Sequence, residues 1–129
     1  MLKTDILNPQ LNSLLSRVRH TNLLVIADRG FPYWPMIETI DIALIDDLPT
    51  VLQVLEAIQA NFVIGQVTMA REFCTHNPPT VQDRFTSAMT GLNRVFIPHA
   101  ELKQLVPSAI GLLRTGDTVA YANMILESA

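Results

Sequence analysis

Apolar residues in this chain fall into short blocks whose spacing changes from one segment to the next. Leu11, Leu14, Leu15 and Val18 share one helical face. Asn8 is suited to cap that helix, Pro9 to open it, and its end is expected near His20. Leu23 to Ala27 is an unbroken apolar run of strand length, closed by Asp28-Arg29-Gly30. Such a run fits a strand covered on both faces. Phe31 to Pro35 holds two prolines and reads as a loop.

Ile40 to Leu44 is expected as a second strand, and Pro49 opens a helix with Val51, Leu52, Leu55 and Ile58 inward. Phe62 to Met69 is a third strand. After the Asn77-Pro78-Pro79 break, a helix turns Val81, Phe85, Ala88 and Met89 to the core and stops at Gly91. Arg94 to Ile97 is strand-like, and a short helix from His99 to Val106 follows. Ala109 to Leu113 and Ala120 to Leu126 complete the strands, joined by a turn at Thr115-Gly116-Asp117. Strands alternating with helices predict an α/β fold. The expected form is one three-layer domain over residues 1–129, with a mixed, mostly parallel sheet of about six strands flanked by helices.

The polar residues that interrupt these blocks carry the candidate chemistry. Read as strand residues, Tyr121 and Asn123 point to the same face and Ala122 to the other. A phenol and an amide on a buried sheet need partners, from the protein or from a polar ligand. His20 precedes the first strand and Asp28 follows it, so roughly 17 Å of strand separates them. Only a returning segment or another chain would bring them together. A helix-end cap and a turn residue are the plainer readings of the two. His99 and Lys103 are four apart and share a helical face. The ammonium would hold the imidazole neutral, unless the two are a solvated surface pair.

Composition narrows the classes of function. The net charge is −3 with no basic run, which disfavours nucleic acid and anionic membrane as partners. The N-terminal segment lacks a signal-peptide core and no apolar run reaches membrane-span length, so a cytoplasmic location is expected. Cys74 is the only cysteine, which excludes an intrachain disulfide and a paired-cysteine zinc site. The five glycines are scattered singly, so no phosphate-binding loop is present. A 49% apolar fraction in so short a chain hints at further burial in an oligomer.

Several stretches together resemble the cytosolic sugar pyranase/mutarotase family, which comprises D-ribose pyranase and L-fucose mutarotase. They are Leu7-Asn-Pro9, His20-Thr21, Asp28 to Pro32, Ile40 to Leu44, Glu72 with His76-Asn-Pro78, His99 to Lys103, Arg114 to Asp117 and Tyr121 to Leu126. The His99/Lys103 and Tyr121/Asn123 pairs look more like the ribose branch than the fucose branch. The resemblance implies an isomerase that interconverts ring forms of a monosaccharide by acid/base catalysis, with no cofactor and no metal. It implies His20 as the catalytic acid, and Asp28, His99, Lys103, Tyr121, Ala122 and Asn123 as substrate-binding residues. It also implies a ring-shaped homo-oligomer, often a decamer, with sites at subunit contacts. Arg19, Asn22, Arg29 and the Tyr33-Trp34 stretch depart from the family pattern, and Arg29 and Trp34 bear on which sugar is taken. The competing reading is a non-catalytic monosaccharide-binding protein associated with sugar transport, which would not depend on His20.

Overall fold

The computed structural model describes all residues, Met1–Ala129. Helix α1 spans Pro9–Arg17, capped by Asn8, whose side chain accepts the Leu11 N–H at 2.9 Å. Strand β1 is Leu23–Ala27, and the chain between Val18 and Asn22 is not helical, so α1 stops short of His20. Strand β2 (Glu38–Asp41) leads to helix α2 (Val51–Gln59), capped by Thr50 in a reciprocal box with Gln53. Strand β3 (Ile64–Ala70) runs into a short helix α3 (Glu72–His76), and helix α4 (Pro79–Ala88) follows. Gly91 supplies the left-handed residue after α4, with φ of 82°. Strand β4 (Arg94–Ile97), helix α5 (His99–Leu105), a 3-10 turn (Val106–Ser108), β5 (Gly111–Arg114) and β6 (Met124–Ser128) complete the chain.

The strands form one sheet in the order β2-β5-β1-β6-β3-β4. The β1–β5, β2–β5 and β3–β4 pairs are parallel, and β6 is antiparallel to both β1 and β3. Alternation along each strand sends side chains to two separate cores. Leu24, Ile26, Met69, Leu113, Met124 and Leu126 meet α1, α2 and α4 on one face. Val25, Ala27, Ala70, Leu112 and Ile125 meet Leu102 and Val106 of the α5 region on the other. This is the expected three-layer arrangement. No helix is long and apolar enough to cross a membrane.

Several expected elements move. The second strand ends at Asp41 rather than Leu44, because the Asp41 carboxylate accepts the Ala43 N–H and turns the chain out of the sheet. The fifth strand starts at Gly111 rather than Ala109, because Ala109 still bonds to Val106 of the 3-10 turn. The last strand starts at Met124 rather than Ala120, and β5 and β6 are not neighbours, since β1 lies between them. Tyr121 has a left-handed φ of 56° and belongs to the loop before β6. Its relation to Asn123 is therefore not strand alternation. Helix α3 has no counterpart in the sequence pattern, since five residues are too few to carry a helical period.

Candidate functional site

Asp28 and Asn123 meet at the end of β1. The Asn123 amide oxygen accepts the Asp28 N–H at 2.8 Å, and its nitrogen donates to Asp28 Oδ2 at 3.0 Å. The protein thus supplies Asn123 with partners, and those partners are Asp28. The other carboxylate oxygen of Asp28 accepts the Gly30 N–H at 2.9 Å. Asp28 is a turn residue and a candidate ligand at once. The positioning follows from topology: β6 runs antiparallel to β1, so the residues entering β6 lie beside those leaving β1.

Rings complete the wall. His99 opens α5 and stands edge-on to Tyr121, with centroids 5.0 Å apart, and edge-on to Phe31 at 6.2 Å. Its backbone N–H donates to the Glu72 carboxylate at 2.8 Å, tying α5 to α3. Asp28, Gly30, Phe31, His99, Tyr121 and Asn123 line one cavity of about 310 Å³. Ala122 lies between the last two and is buried in the core beneath. Lys103 does not line this cavity. It faces an adjoining one of about 530 Å³, shared through Pro32, with Tyr33, Trp34, Gln104 and Pro107.

Electrostatics separate the titratable groups. Burial pushes the Asp28 carboxyl above the usual carboxylate range, against the Gly30 and Asn123 hydrogen bonds that lower it. Burial, and then the Lys103 ammonium, push His99 below its ordinary value. His99 Nδ1 is buried without a hydrogen-bond partner. An imidazolium would bury an N–H with no acceptor there, so geometry and charge agree on a neutral ring. The cavity therefore offers a carboxylate, a neutral imidazole and a phenol, the mixture of acceptors and donors that suits hydroxyl groups. No three His, Cys, Asp or Glu side chains gather as a metal-ligating group.

Of the residues expected in the site, the chain brings together Asp28, His99, Tyr121 and Asn123. It does not bring His20, which is exposed near the opposite end of β1, where Thr21 bonds to Ser128. A further side chain stands beside the site. His76, at the end of α3, lies against Tyr121 with centroids 4.9 Å apart. Its Nδ1 is 2.9 Å from the Glu72 carbonyl, which can only accept, so Nδ1 carries the proton in that bond. Asn77 donates to the Ala120 carbonyl at 2.8 Å and seats the Tyr121 loop on α3. The only sequence signal for this was the His76-Asn-Pro78 stretch itself.

Known proteins match the chain along its whole length. The D-ribose pyranase of Laribacter hongkongensis is 40% identical over 128 residues, covering 99% of this chain and 97% of that protein. The structure of Bacillus subtilis RbsD complexed with D-ribose superposes with a TM-score of 0.92 at 29% identity, covering 100% of this chain and 98% of that one. The fucose mutarotase of Streptococcus pneumoniae, in complex with L-fucose, shares the fold with a TM-score of 0.83 at 17% identity, covering 99% and 98% of the two chains. The model of the RbsD / FucU transport protein family matches residues 1–129, and the chain belongs to that family.

Proposed function

We propose that this protein is an isomerase that interconverts ring forms of a monosaccharide, with D-ribose the first substrate to test. The observation that carries the reading is the convergence of Asp28, His99, Tyr121 and Asn123 on one cavity, from three separate parts of the chain. The name of the Laribacter relative, at 40% identity, supports ribose. Opening a cyclic aldose breaks the bond between the anomeric carbon and the ring oxygen. The ring oxygen gains a proton, the anomeric hydroxyl loses one, and an aldehyde forms. Closure by a different hydroxyl gives the other ring size, and closure on the other face gives the other anomer.

In this reading His20 is the proton donor and acceptor, since an imidazole can both give and take a proton. Asp28, Asn123, Tyr121 and His99 fix the hydroxyls, and Lys103 approaches the sugar from the adjoining cavity. His20 reaches the cavity from a second copy of the chain, which puts the sites at subunit contacts. Exposed Tyr33, Met36, Leu44 and Ile45 support burial against such a copy.

The second reading is a non-catalytic monosaccharide-binding protein of a transport system. It draws on the fact that the cavity forms within one chain without His20. One experiment separates the two: ring-form exchange of D-ribose followed by NMR, with wild type and His20→Ala. The isomerase reading expects wild type to accelerate exchange and His20→Ala to lose about 10²–10⁴-fold of that rate, the usual contribution of one acid/base group. Ribose binding without accelerated exchange by wild type would favour the transport reading.

A further inference from the structure

Arg114, the last residue of β5, is a largely covered cation. Its side chain is only 14% exposed, and Nε lies 3.8 Å from the Asp41 carboxylate. One terminal nitrogen donates to the Phe31 carbonyl and to the Arg29 carbonyl at 3.4 Å, and the other donates to the Pro32 carbonyl at 3.4 Å. All three acceptors belong to the turn that follows Asp28. Three carbonyls of one turn demand a planar fork of donors. A lysine ammonium is a point charge and cannot hold them together.

The peptide between Arg29 and Gly30 faces two ways. Its carbonyl accepts from Arg114, and its N–H donates to Asp28 Oδ1 at 2.9 Å. This peptide is trans, so its C=O and N–H lie in one plane and point in opposite directions. Fixing the carbonyl on one side aims the N–H on the other. We propose that Arg114 is a positioning residue of the sugar site, acting on the Asp28 carboxylate through the Arg29–Gly30 peptide. The proposal rests on Asp28 being a sugar ligand.

The consequence for titration has a definite sign. Of the contacts that lower the half-buried Asp28 carboxyl, the Gly30 N–H is the largest, and Asn123 and the Phe31 backbone add to it. Asp117, from the loop after β5, raises it. From α5 the neutral His99 faces Asp28, with Lys103 and Glu72 acting on that imidazole in turn. The Arg29 guanidinium pairs with Asp46 at 2.6 Å. If the Gly30 N–H is no longer aimed, the Asp28 carboxyl rises further and its midpoint moves to higher pH.

The test compares wild type, Arg114→Gln and Arg114→Lys as full chains. The Asp28 side-chain carboxyl is titrated by carbon-detected NMR without sugar, and D-ribose binding is measured by calorimetry. Both variants are expected to move the Asp28 midpoint upward and to weaken ribose by about tenfold, the scale of one hydrogen bond to a charged group. An unchanged midpoint in either folded variant overturns the proposal. A shift in Arg114→Gln alone also overturns it, because Lys keeps the charge and loses only the fork. If Arg114→Gln does not fold, Arg114→Lys carries the test. If wild type binds no ribose, the sugar reading fails, while the sugar-free midpoint still decides whether Arg114 acts on Asp28.

Discussion

Asn123 shows how one amide can serve two purposes. Its oxygen holds the Asp28 backbone and its nitrogen holds the Asp28 carboxylate. Asn123→Ala leaves both groups without those bonds in a part-buried setting, so a loss of about 1–3 kcal/mol is expected, measured by urea denaturation. His99 gives a pH dependence with the opposite sense to that of Asp28. Its folded value is lowered, so below about pH 6.5 the unfolded chain binds more protons than the folded one. Stability contributed by the neutral ring is present above that point and is lost as pH falls towards the folded value. Thermal melts should show this slope, and His99→Gln should remove it. Lys103→Gln should move the His99 midpoint, followed by NMR, back up towards its ordinary value, because the ammonium is the second cause of the shift. The sequence made the residue types at this site legible, and the α5 spacing placed His99 and Lys103 on one helix. It could not separate them into two cavities, because the remaining walls come from distant loops: Pro32 lines both, Tyr33 and Trp34 only that of Lys103, and Phe31 only that of His99.

The elements were legible where a period or a cap announced them. Asn8, the apolar run of β1 and the stop at Gly91 all appear as read. The errors cluster where tertiary contacts override local pattern. The apolar surroundings of Tyr121 and Asn123 predict strand neighbours. In the fold, Tyr121 turns through a left-handed residue and the sheet begins only at Met124. Asp28 and Asn123 are 95 residues apart, and no local period reports such a pairing. The loop after β5 shows a similar constraint. A Cβ on Gly116 would collide with the Ile45 carbonyl, while the Asp47 N–H donates to the Gly116 carbonyl. The buried Asp117 beside it caps α2 through the Val51 N–H at 2.8 Å. Gly116→Ala is therefore expected to cost about 1–3 kcal/mol, the range for overpacking, read as a lower urea midpoint at unchanged slope.

At the scale of the molecule, the cavity and the proposed proton donor lie at opposite ends of β1, so the chain is proposed to act as an assembly. Ile45→Asp places a charge on one of the exposed apolar positions that support this reading. Sedimentation velocity should show wild type as an oligomer and the variant as smaller species, with ring-form exchange lost alongside. A monomeric wild type would remove the shared site from the reading. The sheet itself has a seam. Strands β2, β5 and β1 form one group and β3 and β4 another, and only β6 bonds to both. Met124–Ser128 is thus the keystone of the sheet. A nascent chain still tethered at that strand has two strand groups joined by no sheet hydrogen bonds and carrying open edges, so closure of the sheet must await its emergence from the ribosome, and a chain truncated before Met124 should associate wrongly rather than form a smaller version of the fold.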